Sequence, residues 1–119
     1  MADYRLTHSA QADIVRILAW SEEEFGTDAR NRYQALIATA IRDAASRADN
    51  VGHIDRPELG DGVFSWHLAQ SRTRSPGVAV RRPRHFLVCR WDGEVLVISR
   101  VLHDAMEPRL HVDYPQTWD

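Results

Sequence analysis

Histidine and arginine are the residue types with which this chain could do chemistry. His103 is followed directly by Asp104 and, in a simple hairpin register, falls near His85. A carboxylate beside an imidazole can set its tautomer, which would make an acid–base pair. A structural histidine hydrogen-bonded at a strand end explains the same residues and is the favoured reading. His103 and His111 have no cysteine or third histidine at ligand spacing around them, so no metal site is expected. Cys89, the single cysteine, lies in an apolar run. A buried thiol is usually inert, an internal disulfide is impossible, and a cytoplasmic setting fits.

The arginines are unevenly spread. No carboxylate occurs between Gly62 and Trp91, whereas Arg72, Arg74, Arg81, Arg82, Arg84 and Arg90 all fall there. The first half carries the opposite balance, including Glu22-Glu23-Glu24, and the net charge is only -2. Lysine is absent, which coding bias towards arginine explains; the clustering needs another reason. A basic stripe can bind nucleic acid or an acidic protein segment, and the sequence alone leaves both open.

These side chains must be carried by a framework of 119 residues, which suits one domain. No apolar run reaches membrane length, and no secretory leader is expected at the N-terminus. The framework centres on Arg84 to Leu102. Phe86-Leu87-Val88-Cys89 and Val95-Leu96-Val97-Ile98 flank Trp91-Asp92-Gly93-Glu94, which predicts a hairpin with Asp-Gly in a type I′ turn. Both runs are nearly continuously apolar, so both faces of this sheet centre should be covered over much of their length. Trp66 and Trp91 read as sheet packing.

Ahead of the hairpin, Tyr4-Arg5-Leu6-Thr7 reads as a short strand. Ser9 is the expected N-cap of a helix running to Phe25, with Ile14, Ile17, Leu18, Ser21 and Phe25 on one face. Gly26 ends that helix, and Thr27 is expected to cap a second one running to about Arg47. Its stripe is Tyr33, Leu36, Ile37, Ala40, Ile41 and Ala44. Residues 48–62 read as a loop and Val63 to Leu68 as a half-buried strand. Residues 69–83 read as an exposed, mobile connection, with Val78 to Val80 able to extend a strand. The expected order is strand, helix, helix, strand, strand, strand: an α+β fold with a helical hairpin packed on a small, mainly antiparallel sheet. The first strand should join beside the last. One sheet face and the groove at its edge should be left partly uncovered, which usually means a partner.

With these elements in place, the chain resembles the RelE/ParE toxin superfamily, and in detail its ParE (plasmid-stabilisation) branch. The resemblance is carried by Tyr4-Arg5-Leu6-Thr7 with Ala10 and Asp13-Ile14, by Pro57-Glu58-Leu59-Gly60, and by Arg84-His85-Phe86-Leu87-Val88-Cys89-Arg90. It is completed by Arg100-Val101-Leu102-His103-Asp104-Ala105-Met106-Glu107. It implies a single ParE-like toxin domain over residues 1–112 with a C-terminal tail at 113–119. Cys89 departs from the pattern, since relatives more often place an aromatic residue there.

What the resemblance implies is the toxin of a bacterial type II toxin–antitoxin system. Such a toxin inhibits DNA gyrase, and so replication, by binding that enzyme. It needs no metal or cofactor, and a ParD-like antitoxin neutralises it in a hetero-oligomeric complex that meets DNA only through the antitoxin. Candidate antitoxin contacts are Ile17, Trp20, Tyr33, Ile37, Arg81, Arg82 and Arg84, with core packing the simpler reading of Ile17 and Ile37. Candidate target contacts are Arg100, His103, Met106 and Arg109. The alternative is a RelE-like ribosome-dependent mRNA endoribonuclease. That chemistry needs a base for the 2′-hydroxyl, cations for the phosphorane charge and an acid for the leaving oxygen. Arg84, Arg90, Arg100 and His103 would then be catalytic, since lysine is absent and Tyr114 lies far beyond the last strand.

Overall fold

In the computed structural model, which describes residues 3–46 and 51–119, the predicted hairpin forms the middle of a five-stranded sheet. Strands β1 (Asp3–Leu6), β2 (His53–Asp55), β3 (Phe64–His67), β4 (His85–Asp92) and β5 (Val95–His103) lie in the order β1-β5-β4-β3-β2. β1 runs parallel to β5 and the other pairs are antiparallel, so the first strand does join beside the last. Helices α1 (His8–Phe25) and α2 (Thr27–Ala44) form the predicted hairpin on one face of the sheet.

Double-sided burial explains the unbroken apolar runs of β4 and β5. Leu87, Cys89, Leu96 and Ile98 pack under the helices with Leu36, Ala40 and Trp66. Phe86, Val88, Val97 and Leu102 belong to a second cluster, closed by Val63 and Trp118. The face expected to be partly open is therefore covered by the residues read as a tail. Thr117 and Trp118 are buried, the Ser99 hydroxyl donates to the Thr117 carbonyl, and Arg5 donates to the Trp118 carbonyl at 3.1 Å. Tryptophan carries enough apolar area to make this docking worthwhile wherever a groove accepts it.

Several local expectations are corrected. The hairpin loop is Gly93-Glu94, because Asp92 already pairs with Val95. Positive φ is confined to Gly93, at 60°, which is the type II′ pattern rather than I′. Thr7, not Ser9, caps α1: its hydroxyl accepts the Ala10 amide at 3.0 Å and donates to the Ser99 carbonyl at 2.7 Å. Gly26, not Thr27, is the N-cap of α2, without a side-chain capping bond. α2 ends at Ala44, and Arg47 lies outside the described residues. Part of the predicted loop supplies the edge strand β2, too short to show an alternation. No strand forms at Val78 to Val80.

The connection after β3 is also better anchored than expected. Trp66 Nε1 donates to Ser71 Oγ at 3.0 Å, Ser71 donates to the Asp43 carboxylate, and Arg74 pairs with the same carboxylate at 3.0 Å. A final irregularity matters for the site. Val88 pairs with Arg100 but Cys89 pairs with Ile98, so Ser99 is the extra residue of a bulge. Bulges bend a strand and re-aim its side chains. Here the bulge sends Arg100 towards α1.

Candidate functional site

Where α1 meets the end of the sheet, a groove of about 930 Å³ opens. Ile17, Trp20, Ser21 and Phe25 form its wall along α1, and Ala29, Arg32 and Tyr33 extend it on α2. The connection from Val78 to Arg84 makes the opposite rim, with His85 and His103 at the sheet end. Trp20 and Phe25 are 54% and 66% exposed, and their rings meet edge to face at 5.5 Å. Val78 across the groove is 73% exposed. Large apolar side chains left facing a concave surface are the usual mark of a protein contact. Periodicity alone puts Phe25 on the packed stripe of α1, but it lies one turn beyond the core and lines the groove instead.

At the inner end of the groove the strand register pairs His85 with His103 across the sheet, with ring centroids 5.2 Å apart. The Tyr33 hydroxyl accepts the Arg84 amide at 3.2 Å and bonds His85 Nδ1 at 2.6 Å. Burial, with a smaller contribution from Asp104 against the relief given by the Arg84 amide, pushes Tyr33 up to about 12. Burial first, and then neighbouring His103, pull His85 down to about 4. The tyrosine therefore keeps its proton and donates it to a neutral imidazole. Asp104 does not orient His103. Its carboxylate takes His67 Nε2 at 2.8 Å, while His103 Nδ1 accepts the Ala105 amide at 3.0 Å. His103 is thus hydrogen-bonded at the strand end, in line with the structural reading of its sequence context.

Arg100 is not a free cation. Its guanidinium bonds Asp13 through Nε at 2.7 Å and Nη2 at 2.8 Å, and the His111 carbonyl through Nη1 at 2.7 Å. The Val101 amide and Arg16 complete the shell of this carboxylate, which is 3% exposed. Sequence reasoning reaches Asp13 only as part of a family pattern. A further signal is present in the chain: a lone carboxylate one helical turn from both Ala10 and Ile17, on the core side of an amphipathic helix.

The remaining candidates are dispersed. Arg90 stacks on Trp118 at 4.5 Å and lies over Tyr114 at 5.6 Å, on the sheet face away from the helices. Arg84, Arg90, Arg100 and His103 therefore do not converge on one point. Met106 and His103 line a shallow recess of about 290 Å³ with Asp13, Arg16 and His85. Arg109 is exposed and 3.9 Å from Glu107. Ile37 is 3% exposed in the core, whereas Ile17, Trp20, Tyr33, Arg81, Arg82 and Arg84 all line the groove. Cys89 is fully buried and burial pushes its thiol up, so it has no reactive thiolate. Among the described residues, no group of three or more His, Cys, Asp or Glu is arranged to hold a metal ion, and no helix is long and apolar enough to cross a membrane.

A helical hairpin on a mixed five-stranded sheet, with an apolar groove at their junction, defines a RelE/ParE-like α+β domain. Residues 4–108 match the model of the ParE toxin family of the type II toxin–antitoxin system parDE, and the chain belongs to that family. A search of curated proteins finds no match.

Proposed function

We propose that this toxin is neutralised by a ParD-like antitoxin whose folded segment occupies the groove between α1 and the 78–84 connection, and that its target is DNA gyrase. The observation that carries the first part is the exposed Trp20, Phe25 and Val78 around a groove of about 930 Å³. An antitoxin seated there would remove this surface from water, at roughly 25 cal/mol per Å² of apolar area. Ile17, Trp20, Tyr33, Arg81, Arg82 and Arg84 are the contacts on this reading; Ile37 supports them from the core. For the target, His103, Met106 and Arg109 are the contact residues. Arg100 acts by holding the strand end against α1 rather than by touching gyrase.

The RelE-like mRNA endoribonuclease reading has one observation in its favour: a neutral imidazole, His85, between a tyrosine hydroxyl and a second imidazole, with Arg84 adjacent. Against it, Arg90 and Arg100 are engaged elsewhere, which leaves few cations for a phosphorane. A two-armed assay on the purified toxin decides between them. Supercoiling of relaxed plasmid by gyrase is followed in one arm and message integrity in a translating extract in the other. Gyrase inhibition with intact message is the expected result. Codon-positioned cleavage with normal supercoiling would overturn it and make His85 and His103 the residues to mutate.

A further inference from the structure

We propose that the segment held in the groove is amphipathic with a row of carboxylates along one edge, and that Arg72, Arg81 and Arg82 read those carboxylates. The proposal rests on the groove being the antitoxin site and specifies the chemistry recognised there. Among the described residues, five arginines line the groove (Arg32, Arg72, Arg81, Arg82 and Arg84) and no aspartate or glutamate does. Arg72, Arg81 and Arg82 also bound an adjoining cleft of about 600 Å³.

Several arginines elsewhere have carboxylate partners: Arg30 with Glu22 at 3.2 Å, Arg74 with Asp43 at 3.0 Å, and Arg100 with Asp13. Arg81 and Arg82 have no such partner among the described residues, and Arg72 uses its Nε on the Val80 carbonyl at 2.6 Å. Guanidinium groups held around one cleft repel each other. A carboxylate cluster relieves that repulsion and fits the planar fork of each group.

The division of the groove fixes the polarity of the occupant. Ile17, Trp20 and Phe25 on α1, with Val78 facing them, require an apolar face, while Arg72, Arg81 and Arg82 on the opposite rim require acids. A nucleic acid offers charge along its whole backbone and would leave the α1 wall poorly matched, since it tracks a continuous basic stripe. A segment with one apolar face and one acidic edge satisfies both walls. Charge complementarity of this kind also accelerates encounter and excludes partners lacking the acids.

The test is selection of binders to the full-length toxin from a displayed library of amphipathic helices with randomised edge positions. Parallel selections use Arg81→Gln/Arg82→Gln and Trp20→Ser variants, whose substitutions fall at exposed positions and whose folding is checked by circular dichroism. Wild-type selection is expected to enrich aspartate and glutamate along one edge. The enriched peptides should bind the arginine variant about tenfold or more weakly at low salt, the scale of one or two charged hydrogen bonds. Binders that require Trp20 but show no acidic preference would overturn the proposal and leave the groove reading intact. Binders indifferent to Trp20 would overturn the groove reading itself. Two further results would overturn the proposal in favour of another occupant. One is a single-stranded oligonucleotide that binds through Arg81 and Arg82. The other is a concentration-dependent homodimer that buries Trp20, with Glu22-Glu23-Glu24 of a second copy supplying the acids.

Discussion

Asp13 and Arg100, 87 residues apart in sequence, meet through two parallel hydrogen bonds of 2.7 and 2.8 Å beside the β5 bulge. The Val101 amide gives the same carboxylate a bond of 3.0 Å. Removing the carboxylate leaves a largely buried guanidinium and an orphaned backbone amide. Asp13→Ala should therefore lower the unfolding free energy by about 3–5 kcal/mol, measured by urea denaturation. A loss below about 1 kcal/mol would be on the scale of an exposed pair and would contradict a structural role for Asp13.

Acid should weaken the fold through His85. Its folded pKa of about 4 lies below the ordinary 6.5, so between those values the unfolded chain binds a proton that the folded chain refuses. The stabilisation is fully present above pH 6.5 and is lost as pH falls through the window, up to about 3 kcal/mol. His85→Gln retains an acceptor for the Tyr33 hydroxyl but cannot titrate. Its urea midpoint should fall less than that of the wild type between pH 7 and 4.5. Parallel curves for the two proteins would exclude His85 as the source.

Trp118, 5% exposed and stacked under Arg90, closes the second apolar cluster. Trp118→Ala should cost about 3–5 kcal/mol, a core-sized loss for a residue in what reads locally as a tail. Thermal melts of this variant and of a chain lacking residues 113–119 would show the same large drop. A melting temperature unchanged in either would return these residues to the status of a tail.

Trp20 should behave in the opposite way. It is 54% exposed and its ring contact in the isolated chain is Phe25 at the helix end. Trp20→Ala should leave stability within about 0.5 kcal/mol of wild type, as for surface substitutions generally. It should weaken antitoxin binding by about 2 kcal/mol or more if it is a central anchor. Calorimetric titration with the cognate antitoxin, alongside a denaturation curve, separates the two effects.

The fold is legible in the sequence where periodicity and turn chemistry agree. The α2 stripe from Leu36 to Ala44 and the apolar runs of β4 and β5 define themselves, and the placement of β1 beside β5 follows from the intervening helices. What escapes is set by distant contacts. Thr7 wins the capping position from Ser9 because it is also held by Ser99, and Trp118 docks on a strand face that local sequence cannot assign to it. The site is legible in part for the same reason. Exposed Trp20 and the arginines of 81–84 stand out against their neighbours. Arg100 reads as a free cation because its partner lies on the first helix, and the Tyr33–His85 bond joins residues 52 apart. Pairings across such separations leave no local period to read.

The placement of β1 against β5 bears on how the toxin comes into being. The pairing of Asp3 with Val95 and of Leu6 with Ile98 makes this edge of the sheet depend on residues translated long after both helices. The helices emerge from the ribosome before the surface they pack on exists, and closing so long a loop slows acquisition of the final arrangement. Nascent chains arrested before Val95 should accordingly remain sensitive to protease, with protection gained only after β5 has emerged. On that timetable the groove, which has His103 of β5 in its lining, is completed only after β5 has been made.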